Sequence, residues 1–480
     1  MTSAGVSDAV TSPPALTRGD RAVIGVLLVA TFVVILNETI MGVALPVLLS
    51  ELHVTAAVGQ WLTAGFLLTM SVVIPITGYL IQRVPTRVLY GVAMSLFSAG
   101  TLIAALAPGF PVLLAARVVQ ASGTAIMLPL LMTTVMTLVP PARRGAVMGN
   151  ISIVISVAPA IGPTVSGVVL DVFSWRAMFW VVLPISVAAL VLGLRWVSRI
   201  GETSSAPIDP LSVVLSVFGF GGLVYGLSSI GHSGSGSSAT LWVSLAIGVL
   251  GVVAFVLRQV RLQRDERALL DLRTFRFRTF TLASALMMVM MGLLLGVVTI
   301  LPIYTQNVLG LDPLATGLLL LPGGLLMGLL SPFVGRLYDR VGPRVLLIVG
   351  TVATSGSLWF ATTFDATTSA ALVLVFHLAL SLGLAFSFTP LFSSGLGALP
   401  SRLYSHGSAI FSTTQQLAAA AGVALLVSVM SARTATMLAA DEPGAEMGGM
   451  HAAILLAAVL SLVAVAGSFL VKPGKAESPH

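Results

Sequence analysis

The chain has 480 residues, is 57% hydrophobic and only 9% charged, contains no cysteine and carries a formal net charge of +7. A soluble domain holds about 25% charged residues, so this composition excludes a soluble enzyme or regulator and indicates an all-α polytopic membrane protein. The missing cysteine excludes disulfides, thiolate metal sites and cysteine nucleophiles, and the basic residues lie in short loops between apolar runs, the pattern of membrane topology and not of nucleic-acid binding.

Residues 1–20 are small, polar and Pro-containing and are expected to form a disordered tail. A spanning helix needs about 20 mostly apolar residues, and fourteen runs qualify, near 22–49, 57–81, 86–107, 111–138, 144–169, 175–197, 208–231, 240–258, 279–305, 314–334, 344–363, 368–391, 406–432 and 450–471. The first is too long for the apolar region of a cleaved signal peptide and should remain as a helix. The run at 208–231 is Gly- and Ser-rich and precedes a flexible loop, Gly231 to Gly236.

Within the first run, Leu36-Asn37-Glu38-Thr39-Ile40 strands a carboxylate in hydrocarbon, at about 2.5–3.5 kcal/mol on insertion scales. Such a group is tolerated facing protein or a wet cavity. Glu38 is therefore a candidate proton carrier: taking a proton removes the penalised charge, and water returns it. The bland alternative is a static Glu bonded to a carbonyl. Arg117 in the fourth run is permanently charged, with five donors. Counting 1.5 Å per residue from the centres of these runs, Glu38 lies roughly 3 Å and Arg117 roughly 12 Å to the outer side, which leaves a gap between them. Asn37, Gln306, His377, Gln415 and Gln416 are further polar groups that could line a substrate cavity. A lone His such as His377 is more often a packing residue. Met287, Met288, Met290 and Met291 suit an adaptable pocket but must point in several directions.

The segment from Arg258 to Arg278 holds seven Arg among Leu and Phe. It reads as a solvated connector on anionic head groups or as an interfacial helix, without a catalytic role. Placing the N-terminus in the cytoplasm puts 21 of the 24 basic residues on that side, leaving Arg176 and Arg433 opposite and Arg117 within the membrane. Both termini are therefore expected in the cytoplasm. Gly78-Tyr79-Leu80-Ile81-Gln82-Arg83-Val84-Pro85-Thr86-Arg87-Val88-Leu89 repeats, without a gap, as Gly335-Arg336-Leu337-Tyr338-Asp339-Arg340-Val341-Gly342-Pro343-Arg344-Val345-Leu346. Each copy follows the second helix of a six-helix block. Two parallel repeats are a transporter plan, and they divide the chain into a six-helix bundle over 21–198, an inserted helix pair over 199–260, a basic cytoplasmic connector over 261–278, a second six-helix bundle over 279–472 and a tail over 473–480.

These features resemble the major facilitator superfamily, and within it the fourteen-helix drug–proton antiporters of the lincomycin-efflux and multidrug-exporter branch. Gly335 to Arg344 match the loop motif Gly-x-Leu-x-Asp-Arg-x-Gly-x-Arg, Arg117 to Gln120 resemble the fourth-helix motif, and Ala158 to Gly167, around Gly162-Pro163, resemble the exporters' fifth-helix motif. Trp175-Arg176, Pro302 to Gln306 and Gln415-Gln416-Leu417 are similar to other family stretches. The departures are Asn37 where the family carries its first-helix Asp, with the acid one residue on, and Gln82 and Pro85 for Asp and Gly in the first loop motif. Ala121 and Ser166 replace two further Gly. The resemblance implies that Arg117 senses protonation of Glu38, that Gly162 and Pro163 bias the cycle toward export, and that Gly335, Asp339, Arg340 and Arg344 form an ion-pair latch, stronger than its Gln82 counterpart.

No phosphate-binding Gly-x-x-x-x-Gly-Lys loop, metal cluster or Ser-centred elbow occurs. The chain calls for no cofactor, no metal and no enzymatic activity. Its expected partners are a small-molecule substrate, protons and the lipid bilayer, with no nucleic acid, and it is expected to act as a monomer in a bacterial plasma membrane. Proton-driven efflux of amphipathic or cationic drugs is the leading reading. A proton symporter importing a nutrient, and a membrane receptor or scaffold, are the alternatives.

Overall fold

The computed structural model describes residues 16–59, 61–197, 209–230 and 238–471. Most of the N-terminal tail, the 231–236 loop, most of the link before residue 209 and the basic C-terminal tail lie outside the described residues. Among the described residues every regular element is helical, and fourteen helical segments are long and apolar enough to cross a membrane. The first six are helix 1 (Arg18–Glu51), helix 2 (Trp61–Arg83), helix 3 (Thr86–Ala105), helix 4 (Phe110–Leu138), helix 5 (Arg144–Val172) and helix 6 (Arg176–Trp196). Helix 7 runs through Pro210–Ser216, Val217–Gly221 and Gly222–Ile230, and helix 8 is Ser238–Leu262. Helix 9 is Arg278–Ile303 continued by Tyr304–Val308. The last five are helix 10 (Pro313–Val341), helix 11 (Pro343–Ala361), helix 12 (Ala370–Gly397), helix 13 (Tyr404–Ala439) and helix 14 (Ala445–Leu470).

Local chemistry sets the ends. Thr17 and Asp20 form a capping box at helix 1. Asp312 and Ser369 cap helices 10 and 12. Gly342, at φ 76°, makes the reversal from helix 10 to helix 11. Its counterpart in the first copy of the repeat is Pro85, which caps helix 3 at φ −52°. One reversal is thus built from two residue types, Gly through a left-handed φ and Pro through a fixed one.

Helices 1–6 pack mainly among themselves, as do helices 9–14. The two halves meet through helix 5 on helix 10 and through helix 13 on helices 2 and 4. Helix 7 packs against helix 8 and also against both helix 2 and helix 13, so the inserted pair straddles the seam between the halves. Without water to drive association, spanning helices rely on close backbone approach. Gly219 and Gly251 bring helix 7 onto helix 8, where a Cβ on either would strike the other's backbone. There helix 7 widens into a π-helical turn, Val217–Gly221, and a second such turn ends helix 9 at Tyr304–Val308. Neither is visible in hydrophobic periodicity, because both are local responses to packing. Met287 and Met290 are buried while Met288 is exposed, as four Met on one helix require.

The connector packs part of its length into the protein and leaves part exposed. Residues 263–277 fold into two short 3₁₀ turns, Gln263–Asp265 and Leu272–Arg276. Ala268, Leu269, Leu270, Asp271 and Thr274 are buried. Leu269 and Leu270 turn into the protein, while Phe275 stays exposed beside Arg276.

Candidate functional site

Glu38 lies beyond the middle of helix 1 and is partly buried. Beside it Asn37 is buried with no partner for its side-chain nitrogen. Thr39 returns its hydroxyl to Leu36 O (2.9 Å). Gly162 of helix 5 lies against Thr39, and a Cβ there would overlap the Thr39 hydroxyl. The absence of a side chain at Gly162 therefore sets how closely helix 5 approaches the acid-bearing turn. Pro163 follows within the same helix. One half-turn back, Ala160 meets Gly324 of helix 10, where a Cβ would strike it. Helix 5 is thus wedged between Glu38's neighbour in its own half and helix 10 in the other.

Arg117 is one of the largest fully buried side chains. Its Nη1 donates to Gln120 Oε1 (3.0 Å) and its Nε reaches Leu62 O (3.5 Å). The guanidinium stacks over Phe66 at 4.0 Å. Gln120 in turn donates to Thr101 Oγ1 (2.9 Å). Among the described residues the ion pairs are Arg258–Asp209 and Arg273–Asp271, and neither involves Arg117 or Glu38. Arg117 is thus a buried cation held by neutral acceptors and an aromatic face, with no ion pair among the described residues. That is an expensive arrangement and a sensitive one. Gln120 and Thr101 were not singled out in the sequence, although the i, i+3 spacing of Arg117 and Gln120 puts them on one helix face.

The polar cavity candidates do not converge. Gln306 is exposed in the π-helical turn that ends helix 9. Gln415 is buried and donates to Phe411 O (3.1 Å) within its own helix. Gln416 faces the other half, 3.8 Å from the Met70 sulfur. His377 is buried in helix 12, where Nε2 donates to Leu320 O (3.0 Å) and its ring occupies the space left by Gly323. It packs against Gly323 of helix 10, with its Nδ1 buried and without a hydrogen-bond partner among the described residues.

At the face where helix 2 ends and helix 5 begins, the halves are closed. The Asp339 carboxylate accepts from Gly145 N (2.8 Å) and Ala146 N (2.9 Å), the first turn of helix 5. Gly335 lies against Gly145. Gln82 Nε2 donates to Arg402 O (2.9 Å), and Gly78 packs on Ser405 and Ala409. The expected latch is therefore a carboxylate capping a helix of the opposite half, not an ion pair. Arg340 and Arg344 are exposed and take no part in either ion pair. The first turn of a helix offers unsatisfied N–H groups and the positive end of the dipole, which suits a carboxylate better than the neutral Gln82 suits a carbonyl. Toward the opposite face, a Cβ added at Gly167 of helix 5 or Gly317 of helix 10 would meet no other element within 4 Å among the described residues.

The sequence profile of the Major Facilitator Superfamily matches residues 27–423. The chain belongs to this superfamily of membrane transporters. It is 44% identical to the uncharacterized MFS-type transporter YcnB of Bacillus subtilis (strain 168), over 94% of each chain. It is 41% identical to the lincomycin resistance protein LmrB of the same organism, over 94% of this chain and 95% of that one. The crystal structure of the human organic anion transporter MFSD10 superposes with a TM-score of 0.69 at 14% identity, over 95% of this chain and 100% of that one, a likeness of fold. The superfamily membership accounts for the repeated loop motif and for the closed face it builds: one copy supplies Asp339, the other Gln82.

Proposed function

We propose that this protein exports amphipathic or cationic small molecules from a bacterial cytoplasm in exchange for protons, acting as a monomer. Glu38 carries the proton and Arg117 registers its charge. The observation that carries this reading is a fully buried Arg117 with neutral partners and no ion pair among the described residues, in the same half as the membrane-embedded Glu38. An ionised Glu38 balances Arg117 and can attract a cationic substrate, whereas a protonated one does neither. Binding of proton and of substrate then compete, as antiport requires. Gly162, beside Thr39, passes the change at Glu38 to helix 5 and so to helix 10.

Support for export comes from the relatives named for lincomycin and multidrug resistance and from the family's Gly162-Pro163 motif. The distribution of 21 of 24 basic residues supports cytoplasmic termini. On that orientation the closed face is cytoplasmic, and the substrate path near the midplane between the halves opens outward, with Asn37, Gln415 and Gln416 as polar groups near it. Rocking of the halves would reverse the access.

A drug-susceptibility panel in an efflux-deficient bacterium, with wild type and Glu38→Gln, tests the reading. Wild-type protection that disappears in the variant is the expected result. Protection retained in the variant removes Glu38 from the mechanism. Protection against no compound by the wild type contradicts export.

A further inference from the structure

The inserted helix pair and the connector are joined to each other and to both halves at the closed face. Asp209, the residue that caps helix 7, receives Arg258 of helix 8 through both oxygens (2.7 and 2.6 Å). The next residue, Gln259, is fully buried. Its Nε2 donates to Ser212 Oγ of helix 7 (2.9 Å), and its Oε1 accepts from Leu269 N of the connector (2.7 Å). One amide thus fastens helix 7, helix 8 and the connector together.

The connector then reaches both halves. Glu266 adopts φ 55°, uncommon for a residue with a side chain, and its carbonyl accepts from Arg83 at the end of helix 2 (2.9 Å). Leu269 O accepts from Nδ1 of His406 in the first turn of helix 13 (3.2 Å). His406 is one residue from Ser405, against which Gly78 packs. Helices 2 and 13 are the pair that must separate if this face opens, and they are also the pair that helix 7 bridges.

We infer that residues 263–277 and the inserted pair form a strap across the closed face, and that Gln259 is the positioning residue that fastens it. The strap raises the population of the closed state. It gives the inserted pair a role beyond widening the bundle. The inference deepens the transport reading and rests on it only in that this face must open.

Because the chain has no cysteine, paired spin labels can be placed at Arg87→Cys on helix 3 and Arg336→Cys on helix 10. Both positions are exposed at this face, one in each half. Distances are read in nanodiscs without substrate or gradient. Gln259→Leu removes both bonds of the amide and is expected to raise the long-distance population several-fold. Gln259→Glu keeps an acceptor for Leu269 N but loses the donor to Ser212, whose own proton is given to Asp209, and is expected to fall between wild type and Gln259→Leu. If Gln259→Leu does not insert, His406→Leu cuts the far end of the strap and is expected to open the face likewise. A distance distribution unchanged from wild type in whichever of these variants inserts overturns the inference. Protection against no compound by the wild type, with the long-distance population still raised in Gln259→Leu, would fail the export reading and leave the strap standing.

Discussion

Glu38 and Arg117 share one electrostatic problem. A guanidinium in a spanning bundle needs its donors satisfied and its charge balanced, and the structure meets these needs with different residues. Gln120, Leu62 O and Phe66 engage Nη1, Nε and the face of the guanidinium, and on the proposed mechanism Glu38 supplies the balancing charge. Arg117→Lys keeps the charge but cannot reproduce the fork. With charged hydrogen bonds worth about 1.5–3 kcal/mol each, it is expected to cut drug protection by about tenfold or more at unchanged expression, measured as inhibitory concentration. Gly162→Ala should be nearly as damaging, since its Cβ would overlap Thr39. Overpacking costs about 1–3 kcal/mol, and adding Thr39→Ala should restore part of the transport. The acid in hydrocarbon was legible from sequence because charge there is rare. The neutral partners of Arg117 were not, because Gln and Thr are common in spanning helices and only the fold shows which of them meet.

Whole helices were the most legible elements, with ends within a few residues of the apolar runs, except where polar turns extend beyond the hydrocarbon, as in helices 10 and 13. The connector was partly legible: Arg264, Phe275 and Arg276 are exposed, as its composition suggests, while the burial of Leu269 and Leu270 depends on the fold. The latch was half legible. The motif marked Asp339, but its acceptance of two N–H groups from helix 5 depends on how the halves meet. Asp339→Ala removes a cap worth about 1–2 kcal/mol and should open this face about 5- to 30-fold. The alkylation rate of a single cysteine at Ser331, buried where helix 10 meets Gly149, measures that change. Asp209 anchors the inserted pair. Hydrogen bonds from Arg258 hold its carboxyl well below the ordinary carboxylate range. A depressed folded value means that this stabilisation is complete above about pH 4 and is lost only as pH falls well below that. Asp209→Asn is therefore expected to lower the melting temperature at pH 7 but to make little difference at strongly acidic pH.

At the scale of the molecule, two halves touch at one face through a carboxylate cap, an amide and a strap, and at mid-depth through helix 5, which also touches the turn that bears Glu38. On the proposed mechanism, a change of charge at Glu38 acts on helix 5 as it rocks against helix 10. Inside-out vesicles test this most directly. With an acid lumen and a fluorescent cationic dye outside, the wild type should accumulate dye, lose it when a protonophore collapses the gradient, and fail to accumulate it as Glu38→Gln. Equal, gradient-dependent accumulation by Glu38→Gln, or wild-type accumulation only when the lumen is made alkaline, would contradict the account.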